Sequence, residues 1–244
     1  MEQVLVLIPA RDEEANIVSV IQDVRHHLPD ADIVVVDDGS EDRTGERARS
    51  VGAYVLRHPY NMGYGTALQT GYKHALEKGY DYVIQMDGDG QHDARYLPSL
   101  LAKILSGSSN VVIGSRFLDG NGAGYRVPPE KRMGMLLFGA VASGIIRQKV
   151  TDPTSGLQAL DRRALGYCTS DVYPFDFADA DVLVMLYLAG LKIGEVPVTM
   201  RASRNGKSRY LSMYSFVTPF YYVFRMGLSI SMSLLRRRRT AVEV

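Results

Sequence analysis

Tyr82-Val83-Ile84-Gln85-Met86-Asp87-Gly88-Asp89-Gly90 is an apolar run that passes directly into a turn carrying two carboxylates. Its first five residues have the length and side chains of a strand covered on both faces. The same design recurs upstream. Val4-Leu5-Val6-Leu7-Ile8 runs into Pro9-Ala10-Arg11-Asp12-Glu13-Glu14, and Ile33-Val34-Val35-Val36 runs into Asp37-Asp38-Gly39-Ser40. Downstream, Val111-Val112-Ile113 leads to Gly114-Ser115-Arg116, and Ala53 to Leu56 reads as a further short strand. Segments of helical period lie between them: Glu14 to His27, Asp42 to Val51, Gly65 to Lys78 and Tyr96 to Ser106. Such alternation predicts an α/β fold with an open, mainly parallel sheet flanked by helices. It also places the polar clusters at C-terminal strand ends, where open α/β sheets bind their ligands. Beyond Gly120 the alternation fades into a loop over Asn121 to Pro129, helices between Lys131 and Arg147 and over Ala178 to Leu188, and an edge strand within Lys192 to Met200 that tolerates Pro197.

Two carboxylates one residue apart, on a turn made supple by Gly88 and Gly90, can converge on one hard cation, Mg2+ or Mn2+, which would bridge a diphosphate. An isolated Asp-X-Asp is more often an ordinary turn. Here the turn follows an apolar strand and another acidic pair ends an earlier strand, so Asp87 and Asp89 are the candidate metal ligands. A carboxylate in Asp37-Asp38-Gly39-Ser40 can accept hydrogen bonds from a nucleoside's base or ribose; that role is assigned to Asp38, Asp37 stays unassigned, and Asp42 reads as a helix N-cap. Asn61-Met62-Gly63-Tyr64-Gly65 leaves two readings open, backbone N–H groups cradling a phosphate or glycines permitting close packing beneath a donor. Arg116 ends its strand at the same ligand edge, where a guanidinium fork suits phosphate oxygens.

With 28 Lys+Arg against 27 Asp+Glu, the chain of 244 residues has no overall field that would argue for nucleic acid or an acidic partner. A hydrophobic content of 46% supports one sizeable core. The lone Cys168 excludes an internal disulfide and a Cys-based metal cage. Met1-Glu2-Gln3 has no basic region and Val4 to Ile8 is too short for a signal-peptide core, so the expected location is cytoplasmic. Phe216 to Leu235 is apolar but carries Pro219, Arg225 and Gly227, borderline for a spanning helix. It reads as an amphipathic interfacial helix, with Tyr221 and Tyr222 near the headgroups and the basic run Arg236 to Arg239 drawn to anionic lipid. That places the protein peripherally on the cytoplasmic face of a membrane. Packing of the same helix on the core, or on a second subunit of a homo-oligomer, is the other reading. The expected division is a catalytic domain over residues 1–210 and a helix with basic tail over 211–244.

Taken in order, Ile8-Pro9-Ala10-Arg11-Asp12-Glu13-Glu14, Val35-Val36-Asp37-Asp38-Gly39-Ser40, Asn61-Met62-Gly63-Tyr64-Gly65, Met86-Asp87-Gly88-Asp89-Gly90-Gln91-His92, Gly114-Ser115-Arg116 and Asp152-Pro153-Thr154-Ser155-Gly156 form a highly specific combination. It resembles the inverting family 2 glycosyltransferases of GT-A fold, in particular the dolichyl- or polyprenyl-phosphate mannose synthase-like branch, over nearly the whole chain. The resemblance implies a Rossmann-like sheet and transfer of a hexose from a nucleotide sugar, GDP-mannose or a UDP-hexose, to polyprenyl phosphate. It implies that Pro9, Arg11, Glu13, Val36 and Asp38 line the nucleoside pocket. It further implies that Asp87, Asp89 and Gln91 coordinate the metal directly or through water, with Arg116 near the reacting phosphates. Glu195-Val196-Pro197-Val198 and Arg204-Asn205-Gly206-Lys207-Ser208-Arg209 match the segment entering the acceptor loop, which adds Arg204 to the catalytic set and Lys207, with Gly88, to the donor-binding set.

The chain departs from that pattern in two places. Gly206 follows Arg204 by two residues instead of three, with Arg209 in place of a Lys, and Asp179 and Asp181 stand where the relatives tend to carry Glu. An alternative acceptor, a saccharide or small-molecule hydroxyl, needs a general base, and Asp179 or Asp181 is then the candidate. A phosphate acceptor is already anionic and needs none.

Overall fold

In the computed structural model, residues 2–118, 143–144, 150–171, 173, 180–201 and 227 are described. The β-branched runs become strands β1 (Val4–Ala10), β2 (Asp32–Asp37), β3 (Tyr54–Arg57), β4 (Tyr82–Gln85) and β5 (Val111–Ser115), followed by β6 (Gln158–Asp161) and β7 (Ile193–Pro197). They form one sheet of seven strands in the order β3-β2-β1-β4-β6-β5-β7. Every pairing is parallel except the two made by β6, which runs antiparallel to β4 and β5. Helices α1 (Ile17–His27), α2 (Thr44–Ser50), α3 (Tyr64–Lys78), α4 (Leu97–Leu105), α5 (Arg162–Cys168) and α6 (Ala180–Leu188) complete the described elements, with a 3-10 turn at Ala94–Tyr96.

The strands lack polar alternation because both faces of the sheet are covered. On β1, Leu5 and Leu7 join one core with Leu68 and Tyr72 of α3, Leu165 of α5 and Leu183 of α6. Val6 and Ile8 join the opposite core with Ile17, Ile21 and Val24 of α1 and Leu97 and Leu100 of α4. Each of these side chains contributes about 1.5–3 kcal/mol on burial. The register pairs Ile8 with Val35 and Leu7 with Gln85, so the ends of β1, β2 and β4 lie level. The chain leaves β1 toward β2 and β3, then returns to place β4 on the other side of β1. This switch opens a crevice beyond the C-terminal ends of β1 and β4.

Some boundaries shift for local reasons. α1 begins at Ile17 instead of Glu14 because the N–H groups of Asn16 and Ile17 both bond the Glu13 carbonyl in a tight turn. α4 begins after the 3-10 turn, where the Asp93 side chain accepts the Arg95 N–H. β6 was not foreseen: Gln158-Ala159-Leu160-Asp161 has only two apolar residues, and its burial comes from pairing between β4 and β5. β7 is an edge strand that ends at Pro197, opposite Ser115. The expected loop over 121–129, most of the helix between 131 and 147, and the C-terminal helix and domain boundary lie outside the described residues. Among the described residues, no helix is long and apolar enough to cross a membrane.

Candidate active site

The crevice is built on the approach of Gly88 to the exit of β1. A Cβ at Gly88 would lie 3.1 Å from the Ala10 Cβ and 3.4 Å from the Pro9 carbonyl oxygen, so glycine lets the acidic turn sit directly on β1. Pro9 is buried and lies opposite the fully buried Val36 on β2. The chain then turns through Asp12, whose φ of 54° is in the left-handed region. Ser40 and Glu41 hold that turn: the Asp12 N–H donates to Ser40 Oγ at 3.1 Å, and the Glu41 N–H donates to Asp12 Oδ1 at 2.8 Å. Half-buried Arg11 pairs with Asp12 at 3.6 Å. Glu13 is buried, and its carboxylate accepts from Asn16 Nδ2 at 2.9 Å.

Asp87 is gripped at both oxygens. Tyr64 donates its hydroxyl to Oδ1 at 2.9 Å, and His92 Nε2 donates to Oδ2 at 3.1 Å. Gly156 closes the third side, since a Cβ there would lie 2.6 Å from Oδ2. Asp89 Oδ1 accepts the Gln91 N–H at 2.9 Å. Burial, and then the charge of Asp87, push the Asp89 carboxyl above the usual carboxylate range, and Glu13 adds in the same direction. Asp87 and Glu13 thus both lie within electrostatic reach of Asp89. Gln91 is tied on its other side, its carbonyl accepting the Arg201 N–H at 2.7 Å, while Arg201 bonds Asp23 and Asp93 at 2.9 Å each.

Asp38 faces inward. Its Oδ1 accepts the Met62 N–H at 2.8 Å and His58 Nδ1–H at 2.7 Å, and its Oδ2 accepts the Gly63 N–H at 3.0 Å. Asp38 thus holds the loop that enters α3 at Met62 and Gly63. Asp42 does not sit at the N-cap position of α2; it accepts from the Glu14 and Thr44 N–H groups at 3.0 and 2.9 Å and so ties the β1 exit to α2.

Arg116 leaves β5 and forms a fork with Asp152: Nε donates to Oδ2 at 2.5 Å and Nη2 to Oδ1 at 2.6 Å. Nη2 also donates to Thr154 Oγ1 at 3.0 Å. Asp152 is fully buried, so this pair is a fixture of the crevice wall. The turn that carries it is held by Glu195 of β7, whose Oε1 accepts the N–H groups of Thr151 and Asp152 at 2.8 and 3.2 Å. Burial pushes the Glu195 carboxyl up despite these donors. Asp181 is buried in the first turn of α6 and accepts the Val182 N–H at 3.0 Å. Asp179, Arg204 and Lys207 lie outside the described residues.

The donor set suits a hard divalent cation. Among the described residues, no group of three or more His, Cys, Asp or Glu is arranged to hold a metal alone. Mg2+ is commonly bound by one or two carboxylates together with substrate phosphates and water, which matches a pair of carboxylates short of a full cage. Burial and the neighbouring Asp87 both raise the Asp89 carboxyl, and the Gln91 N–H and His92 only partly offset them.

The model of the glycosyl transferase family 2 matches residues 5–167. The chain belongs to glycosyl transferase family 2. An undecaprenyl-phosphate mannosyltransferase from Micrococcus luteus is 30% identical over 220 residues, which is 85% of this transferase and 87% of that one. A UDP-N-acetylglucosamine–dolichyl-phosphate N-acetylglucosaminyltransferase from Methanococcus voltae is 28% identical over 214 residues, 80% of this chain and 84% of that one. Among solved structures, glucosyl-3-phosphoglycerate synthase from Mycobacterium tuberculosis, in complex with Mn2+, UDP and glucosyl-3-phosphoglycerate, matches with a TM-score of 0.66. That match covers 97% of this transferase and 80% of the synthase at 24% identity, a likeness of fold. The transferase has the GT-A fold.

In this family 2 transferase the crevice brings together Pro9, Glu13, Gly88, Asp87 and Asp89, with Val36 behind Pro9. Asp38 and Arg116 reach it indirectly, the first through α3 and Tyr64, the second through the Asp152–Gly156 turn. Sequence reasoning gave no role to Tyr64, His92, Asp152, Gly156 or Arg201. All five stood in or beside quoted motifs; His92 lies only five residues from Asp87, but the contacts of the other four join positions far apart in the chain, which only co-variation would have signalled.

Proposed function

We propose that this transferase moves a hexose from a nucleotide sugar to a polyprenyl phosphate at a membrane surface. The observation that carries the reading is the seating of the Asp87–Asp89 turn on the β1 exit through Gly88, which brings the candidate diphosphate site against the candidate nucleoside site. The likeness to polyprenyl- and dolichyl-phosphate sugar transferases supports the acceptor class.

Pro9, Arg11, Glu13 and Val36 are assigned to the nucleoside, with Asp38 shaping the pocket through the Asn61–Gly63 loop. Asp87 and Asp89, with Gln91, would hold a Mg2+ or Mn2+ ion, which when bound stabilises the negative charge of the departing diphosphate. An acceptor phosphate oxygen attacks the anomeric carbon from the face opposite the leaving group, and the sugar–diphosphate C–O bond breaks with its electron pair going to the nucleoside diphosphate. Arg116, oriented by Asp152 and Thr154, is assigned to the crevice wall near the reacting phosphates. Arg204 and Lys207 follow the anchored Arg201 by three and six residues and are assigned to the same phosphates. Residues 1–210 act as the catalytic domain, and the stretch 211–244 brings it to the lipid surface.

The test is release of nucleoside diphosphate from GDP-mannose and the common UDP-sugars, with Mg2+ or Mn2+, with and without a short-chain polyprenyl phosphate. Release is expected only with the lipid phosphate, and only while Asp89 is intact. Release with a soluble hydroxyl acceptor, lost in Asp181→Asn or Asp179→Asn, would replace this reading with the base-assisted one.

A further inference from the structure

Tyr64 is the first residue of α3, and its phenol reaches across the crevice to Asp87 Oδ1 at 2.9 Å. The other oxygen of Asp87 is held by His92 Nε2 at 3.1 Å, on a ring that is almost wholly buried. An ionised carboxylate offers about four lone-pair sites, so two donors fix its plane and leave room for a cation. Tyr64 is itself located by a chain of bonds. Asp38 takes the N–H groups of Met62 and Gly63, immediately before Tyr64. His58 donates to Asp38 through Nδ1, and Thr70, one and a half turns into α3, closes on His58 Nε2 at 2.9 Å. The start of α3 is thereby pinned at two points, and the phenol is delivered to a set position.

We propose that Tyr64 is a positioning residue for the cation-binding carboxylate Asp87, and that through it the Asp38 side of the crevice is mechanically coupled to the Asp87 side. The inference rests on the reading of Asp87 and Asp89 as cation ligands. Partners that orient a metal ligand from outside the coordination sphere change metal affinity or activity by about 10–100-fold when removed. Removing only the Tyr64 hydroxyl takes away the bond to Asp87 and leaves the ring in place at the start of α3.

The experiment uses the full chain and Tyr64→Phe, with Asp89→Asn as the control for the site itself. Mn2+ is titrated with UDP or GDP present, and the free ion is followed by electron paramagnetic resonance; thermal melting is recorded in EDTA. Tyr64→Phe is expected to bind Mn2+ about 10-fold more weakly or worse, to melt with the wild type in EDTA, and to recover its turnover as Mn2+ is raised. Wild-type Mn2+ affinity in Tyr64→Phe, or a loss of turnover that saturating Mn2+ does not relieve, overturns the role of Tyr64 while the cation site stands. Absence of Mn2+ binding by the wild type, or equal binding by Asp89→Asn, removes the cation reading and the role of Tyr64 with it.

Discussion

Gly156 faces Asp87 so closely that a Cβ there would lie 2.6 Å from Oδ2. Gly156→Ala is therefore expected to push the carboxylate off its Tyr64 and His92 donors and to weaken Mn2+ binding about 10-fold or more. Gly166→Ala, where a Cβ would meet nothing within 4 Å, is the matched control and should bind Mn2+ as the wild type does. Asp89 adds a pH dependence. Burial and the neighbouring Asp87 raise its carboxyl, so a proton competes with the cation at higher pH than at an ordinary carboxylate. Mn2+ affinity of the wild type is expected to fall on acidification starting above the usual carboxylate range, as read in a pH series of metal titrations. At this scale the two candidate ligands were legible, since Asp-Gly-Asp at the end of an apolar run is a local pattern. Tyr64 was not, because it meets Asp87 from 23 residues away.

Among the elements, the link between β5 and β7 is a buried ion pair on a bonded turn. Asp152→Ala would leave the nine-tenths buried Arg116 without its fork, and such an unpaired buried charge costs about 3–5 kcal/mol. Urea unfolding should show a midpoint lowered accordingly with an unchanged slope. A second tie joins the segment after β7 to the acidic turn through Arg201, Asp23 and Asp93. Burial acts to raise the Asp93 carboxyl, but the Arg95 N–H, the Arg95 side chain and the charge of Arg201 outweigh it and hold the carboxyl below the usual range. A depressed carboxylate stabilises the fold above its unfolded value, near 3.9 for Asp, and that stability is lost as pH falls through the folded value. Thermal melting followed downward from pH 5 should therefore drop less steeply in Asp93→Asn than in the wild type. Up to β5 the strands were legible as continuous apolar runs and the helices as periodic segments. β6 and α5 were not, because four residues with two apolar side chains carry no period, and their burial is conferred by neighbours on both sides.

Across the whole molecule, the sheet order β3-β2-β1-β4 makes one edge of the fold a crevice, and the basic run Arg236 to Arg239 marks the other end of the sequence. Each basic residue near an anionic surface contributes about 1 kcal/mol. Replacing Arg236 to Arg239 with Gln in the full chain is expected to abolish sedimentation with anionic vesicles while leaving release from a water-soluble acceptor analogue unchanged; unchanged sedimentation would assign the C-terminal stretch to protein packing. By itself the sequence determined the α/β class and the place of the acidic pair at a strand end, because apolar runs, helical period, turn glycines and Asp spacing are local properties of a few consecutive residues. Only the tertiary structure decided that Asp38 holds the loop entering α3, that Arg116 is forked by Asp152, and that Tyr64 and Gly156 close on Asp87. Those outcomes depend on which strand ends the sheet order brings level, and contacts between distant residues leave no periodic trace along the chain.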